Sequence, residues 1–182
     1  THRETFEAAQ ALIAMAEELG KPIALDADGV KAFAKSARPL RSPTAISAHA
    51  GEFEILTGRR PPPDLEGRRA EVSEAARKLN ATIVLKGRVD VISDGRRSKL
   101  NFTGNPGMTV GGTGDVLIGV IGGLMAQGVE PYRAAVAAAF VNGAAGDLVF
   151  ARKGYHILPT DLLDEIPKLL ERPELAPALT QK

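Results

Sequence analysis

The chain has 182 residues, 44% of them hydrophobic, enough for one substantial core and too few for two independent ones. Its 23 Lys and Arg against 22 Asp and Glu leave a net charge of +1, which excludes a global field for nucleic acid or an anionic membrane; two tyrosines and no tryptophan offer little for base stacking. The absence of cysteine excludes disulfides, thiolate metal sites and cysteine nucleophiles, and with no apolar run of roughly 18 residues and no signal-like start the sequence reads as cytoplasmic, with no nucleic acid and no membrane among its partners.

Residues 4–19 place Phe6, Ala9, Leu12, Ile13 and Ala16 on one helix face, and Gly20 ends that helix. Ile23–Leu25 reads as a buried strand whose carboxyl end is the polar run Asp26-Ala27-Asp28-Gly29. Thr44–Ala48 reads as a second short strand, followed by His49-Ala50-Gly51-Glu52 and a short helix from Phe53. Beyond the rigid Pro61-Pro62-Pro63 run, Leu65–Leu79 is a helix with most of its charge on one face. Thr82–Leu85 is a fully apolar strand, as expected where helices cover both faces of a sheet, and Lys86-Gly87 caps it. Residues 89–93 and 99–102 pair as a hairpin through Asp94-Gly95. Residues 116–126 form an apolar helix with Gly119, Gly122 and Gly123 inside it; each costs about 1 kcal/mol there, which points to close packing against another backbone. Pro131 opens a long Ala-rich helix, and Thr160 caps a last one through Leu169-Leu170.

Strands alternating with helices predict an α/β fold of three layers, with a mainly parallel sheet, helices on both faces and a single domain over residues 1–182. Ligands in such sheets sit beyond the carboxyl ends of the strands, where Asp26, His49 and Lys86 all fall. Polar residues also mark where strands simply stop, but three of them together with a glycine turn favour a site.

The segment Asn105-Pro106-Gly107-Met108-Thr109-Val110-Gly111-Gly112-Thr113-Gly114-Asp115 combines a turn with backbone N–H groups at a helix N-terminus. Such a nest binds anions, because unpaired amides and the positive end of the helix dipole converge. A carboxylate beside a bound phosphate is electrostatically awkward unless it has a task, and taking a proton from an attacking nucleophile is such a task. The blander reading is a loop with Asp115 as a helix cap, for which the glycines are denser than needed. The pattern is neither a Walker A loop nor a Rossmann fingerprint.

Gly112-Thr113-Gly114-Asp115, late in the chain and opening a helix, resembles the anion hole and catalytic aspartate of the ribokinase-like superfamily. Taken with Asn105-Pro106-Gly107-Met108, Leu25-Asp26-Ala27-Asp28-Gly29, His49-Ala50-Gly51-Glu52-Phe53 and Val84-Leu85-Lys86-Gly87, it is similar to the ADP- or ATP-dependent NAD(P)H-hydrate dehydratases. The resemblance implies that nucleotide phosphate activates the ring hydroxyl of hydrated NADH or NADPH and that the ring nitrogen then expels phosphate. It implies Asp115 as catalytic base, an anion hole of Gly112, Thr113 and Gly114, and nucleotide contacts at Lys86, Gly87, Arg88, Val89, Asp90 and Gly114. Substrate would touch His49, Asp115 and Asp26, and Glu52 either organises Mg²⁺ through water or serves as a helix N-terminal carboxylate.

Departures from the family pattern are Ala50 in place of proline, which would loosen the turn holding His49, and Asn142 where histidine often stands; the segment 142–147 is given no catalytic part. His156 lies outside every motif. Family domains carry about 90 further upstream residues. Their absence from this sequence would leave sheet edges open and favour a homo-oligomer, and an NAD(P)H-hydrate epimerase domain or partner is a further expectation. Two other readings stay open: a kinase for a vitamin precursor alcohol, and a nucleotide-binding module without turnover.

Overall fold

In the computed structural model, which describes residues 3–177, a five-stranded sheet of order β1-β2-β3-β4-β5 lies between two layers of helices. Strands β1 (Ile23–Leu25), β2 (Thr44–Ala48) and β3 (Thr82–Leu85) are parallel, whereas β4 (Asp90–Ser93) pairs antiparallel with both β3 and β5 (Ser98–Asn101). The sheet is therefore mixed, where a mainly parallel one was expected. Residues 86–89 are too short for the crossover that a parallel neighbour of β3 would need, and the Asp94-Gly95 turn, with Gly95 at φ +85°, folds β5 back on β4.

Alternation along the strands divides the core in two. Ile46, Ile83, Leu85 and Val91 meet Ile13 of α1 (Arg3–Glu18), Phe33 of α2 (Ala27–Ala34), Phe53 of α3 (Ala50–Thr57) and Val72 of α4 (Leu65–Leu79). Ala45, Val84 and Ile92 face the other way, onto Leu117 and Ile121 of α5 (Thr113–Ala126) and Ala134 and Ala138 of α6 (Pro131–Lys153). A third cluster seats Leu162 of α7 (Pro159–Leu163) and Leu169 of α8 (Ile166–Glu171) against Val141 and Val149 of α6.

Four details differ from the sequence reading. Helix α2 occupies what reads as the polar end of β1: Asp26 is its N-cap, its carboxylate accepting the Ala27 N–H at 2.7 Å. Helix α5 starts at Thr113 and not at residue 116, with Gly112 as its N-cap and Asp115 in its first turn, where the sequence places it. The last helix is two, and the residue that ties its start is Asp161, which accepts the Leu158 N–H at 2.9 Å, in place of Thr160. Finally, α6 contains an 18-residue window of mean hydropathy 1.6, long and apolar enough to cross a membrane, contrary to the expectation that no run would be. That window is 61% buried, and its apolarity is explained by packing between the sheet on one side and α7 and α8 on the other.

Candidate active site

The carboxyl ends of β1, β2 and β3 lie under the N-terminus of α5. Gly112 precedes that helix at φ +105°, a left-handed conformation open to glycine, and a Cβ there would also strike Pro159 at 2.6 Å. The Thr113 hydroxyl donates back to the carbonyls of Met108 and Val110, at 2.9 and 3.1 Å, binding the preceding loop to the helix start. No side chain caps this end, and the first amide to enter the helical ladder is that of Val116, which donates to Gly112 O at 3.1 Å. The amides ahead of it point outward, and Asp115 stands exposed beside them in the first turn.

Lys86, one residue beyond β3, donates to both oxygens of Asp26 at 2.9 and 3.0 Å and lies 3.8 Å from Glu52. A Cβ on Gly114 would fall 3.3 Å from its ammonium and 3.6 Å from Asp26, so this ion pair lies directly against the α5 backbone. A cation at the positive end of a helix is repelled. Two carboxylates stabilise it here, and the combination of ammonium, open amides and helix dipole forms a place for an anion.

His49 ends β2 and caps α3. Its Nδ1 accepts the amides of Gly51 and Glu52 at 3.0 and 3.2 Å, while the Glu52 carboxylate accepts the His49 N–H at 2.9 Å, completing a capping box. An accepting Nδ1 assigns the ring proton to Nε2, which lies 3.4 Å from Glu52 Oε1. The turn is thereby fixed without proline: Ala50 occupies the first helical position, where proline is favoured but not needed, and the expected loosening is absent. Glu52 is buried, with its carboxylate shared among the capping box, Lys86 and the His49 ring at 3.4 Å.

The loop 86–90 closes on itself through Asp90, which accepts the Gly87 N–H at 3.0 Å and the Asn101 amide at 3.0 Å. Burial pushes the Asp90 carboxyl above its ordinary value, against those hydrogen bonds and the positive charges of Arg68 and Lys86, which pull it down. Asp90 therefore holds the loop, while Arg88 is exposed on it and Val89 half-buried. The structure thus brings Asp26, Glu52, His49, Lys86 and residues 112–115 to one edge of the sheet.

Sequence reasoning missed two contributors. Asp147, on α6, accepts from the Gly104 N–H at 2.9 Å and the Asn105 amide at 3.0 Å, so the loop entering the glycine turn hangs from this helix. Gly143 and Gly146 give that loop room: added Cβ atoms would lie 2.2 Å from Thr103 Oγ1 and 2.1 Å from Met108 Sδ. A Gly-x-x-Gly spacing ending beside an acid is the signal that marks this in the sequence. The second is Arg68, whose guanidinium rests on Gly87. Among the described residues no group of three His, Cys, Asp or Glu side chains could hold a metal ion by itself. A groove between α3 and α4, lined by Leu56, Arg59, Glu71 and Lys78, lies away from these residues.

A family model described as NAD(P)H-hydrate dehydratase matches residues 4–168. The bifunctional NAD(P)H-hydrate repair enzyme Nnr of Pyrobaculum aerophilum is 47% identical over 154 residues, 84% of this chain and 30% of that protein. The ADP-dependent (S)-NAD(P)H-hydrate dehydratase of Cenarchaeum symbiosum is 47% identical over 126 residues, 69% of this chain and 44% of that protein. Among solved structures, the ADP/ATP-dependent NAD(P)H-hydrate dehydratase of Bacillus subtilis, co-crystallised with ATP/Mg²⁺, superposes with a TM-score of 0.79 at 33% identity, covering 91% of this chain and 60% of that one. The chain thus spans between about a third and a half of the length of these curated relatives.

Proposed function

The chain belongs to the NAD(P)H-hydrate dehydratase family, and from that premise we propose that it uses ATP or ADP to dehydrate hydrated NADH or NADPH. The observation that carries the reading is the uncapped start of α5, with open amides, Asp115 exposed in its first turn and the Lys86 ammonium lying against Gly114. Asp115 accepts the proton of the ring hydroxyl as its oxygen attacks the terminal phosphoryl group, and the amides of Gly112, Thr113 and Gly114 take up the charge developing there. Hydroxide is a poor leaving group and phosphate a good one. The ring nitrogen lone pair expels phosphate, and loss of a neighbouring ring proton restores the dihydronicotinamide.

In this reading the exposed His49 ring meets substrate at the end of β2. Asp26 acts through Lys86, since both of its oxygens are taken by that ammonium. Residues 86–90 hold the nucleotide with Gly114, Asp90 serving to shape the loop. Mg²⁺ brought with the nucleotide supplies charge neutralisation at the phosphates. The donor set fits an ion kept in its water shell: Asp26 and Glu52 already face the Lys86 ammonium, and among the described residues no group of three His, Cys, Asp or Glu could hold a metal ion directly.

Residues 1–182 are read as a single ribokinase-like domain, acting in the cytoplasm. The bifunctional relatives accord with an epimerase domain or partner, and the outer edge of β1, which among the described residues pairs only with β2, accords with a homo-oligomer. Incubation of hydrated NADH or NADPH with ATP or ADP and Mg²⁺ is expected to raise the dihydronicotinamide absorbance. Asp115→Asn lowers that rate by about 10²- to 10⁴-fold with nucleotide binding retained. Accumulation of a stable phosphorylated alcohol would move the reading to a kinase, and no absorbance change would end it.

A further inference from the structure

Arg68 stands in the first turns of α4, whose N-terminus reaches the same edge of the sheet as that of α5. Its neighbour Arg69 is engaged with Glu66 at 3.9 Å and with the Ser98 hydroxyl at 2.6 Å. The Arg68 guanidinium makes no hydrogen bond or ion pair among the described residues. It is nevertheless placed: a Cβ on Gly87 would meet Nη2 at 2.6 Å, Nη1 at 3.2 Å and Cζ at 3.3 Å, so the Nη edge of the group is turned toward the open position at Gly87. A methyl group at 87 would displace the guanidinium from this position.

Adjacent residues at a strand end point to opposite faces. Lys86 goes to the α5 side, against Gly114, and the open position at Gly87 goes to the α4 side, against Arg68. The two cations therefore straddle one peptide beyond the carboxyl end of β3, and both charges reach Asp90 beneath them. The ammonium is already neutralised by Asp26; the guanidinium, half-buried, presents five donors with no acceptor.

We propose that Arg68 is a nucleotide-binding residue whose guanidinium takes a phosphate of the donor lying over Gly87, one residue along from Lys86. This rests on the nucleotide-dependent reading above and adds a contact from α4 that no motif contains. A planar fork suits phosphate oxygens, and such a charge-assisted contact contributes about tenfold or more to affinity.

Calorimetric titration of the protein with ADP and with ATP, both with Mg²⁺, tests it on four chains. Arg68→Met, which keeps the stem but not the charge, is expected to weaken ADP binding about tenfold or more with the ligand-free melting temperature unchanged. Arg68→Lys recovers part of the loss, and Gly87→Ala, which pushes the guanidinium off its seat, reproduces it. Undiminished binding by Arg68→Met overturns this assignment alone. So does a loss accompanied by an equal fall in melting temperature and not recovered by lysine, which would mark a structural role. Absence of binding by the unaltered protein would instead remove the nucleotide-dependent reading on which the assignment stands.

Discussion

The two faces of the sheet are built from different side chains. Under α1 to α4 the packing is large and branched, with Phe33, Phe53, Ile46, Ile83 and Leu85 all at 2% exposure or less. Under α5 and α6 large residues, Val84, Ile92, Leu117 and Ile121, are interleaved with small ones, Ala45 on the sheet and Ala134, Ala135, Ala138 and Ala139 on α6. Large residues bury apolar area and hold the layers apart. Small ones bury less but let helix backbones come close, and every site residue whose position depends on α5 or on the loop hung from α6 lies on this closer side. The glycine turn and its loop are thus placed from the side rich in small residues, while Asp26, His49 and Glu52 are placed by the caps of α2 and α3 on the other.

That contrast can be broken by substitution. Phe53→Ala empties a fully buried position on the large face and is expected to lower stability by about 3–5 kcal/mol, read by urea denaturation, with the affinity of the folded protein for nucleotide unaltered. A cost below about 1 kcal/mol would mean that this face is not the principal support. Gly143→Ala attacks the small face. In an exposed helix the change would gain about 1 kcal/mol. Here the methyl would lie 2.7 Å from the Thr103 carbonyl carbon, and overpacking of this kind costs about 1–3 kcal/mol, so a net loss is expected, together with reduced turnover as the loop shifts. A neutral result in both measurements would reduce the small residues to filler.

A third effect appears only in acid. Glu17, buried on α1, is paired with Arg38 and accepts the Arg41 N–H at 2.7 Å, which together hold its carboxyl down from 4.5 to about 2 despite burial. Because the folded value lies below the unfolded one, the pair contributes fully above pH 4.5 and is lost as the pH falls towards about 2. Chemical denaturation across that window should show the unaltered protein and Glu17→Gln converging as the pH falls. Parallel curves would place the acid response elsewhere.

Much of this arrangement was legible in the residues. The β-branched run of β3, the Asp94-Gly95 turn and the glycine-rich start of α5 each carry their structure locally. Helix α2 was not, because Asp26-Ala27-Asp28-Gly29 has the composition of a loop and Ala27 enters the helix at φ +48°, a conformation alanine rarely adopts. The pairing of Lys86 with Asp26 joins positions 60 residues apart and is set by strand order, which no local pattern reports. Arg68 sits in a run of charge on α4 that reads as a solvated face, and only the gap at Gly87 distinguishes it. Asp147 was passed over for the same reason: its partners lie more than 40 residues away.

One consequence follows from the way the loop before α5 is suspended. Its outer end is tied to α6 by Asp147, its inner end to the helix start by the Thr113 hydroxyl, and Pro159 stands behind Gly112. The amide cluster therefore rides on the helical layer, whereas Lys86 and His49 ride on the strands. The separation between donors and ammonium is therefore set by how α6 sits on the sheet, and α7, which begins at Pro159 behind Gly112, braces the same end.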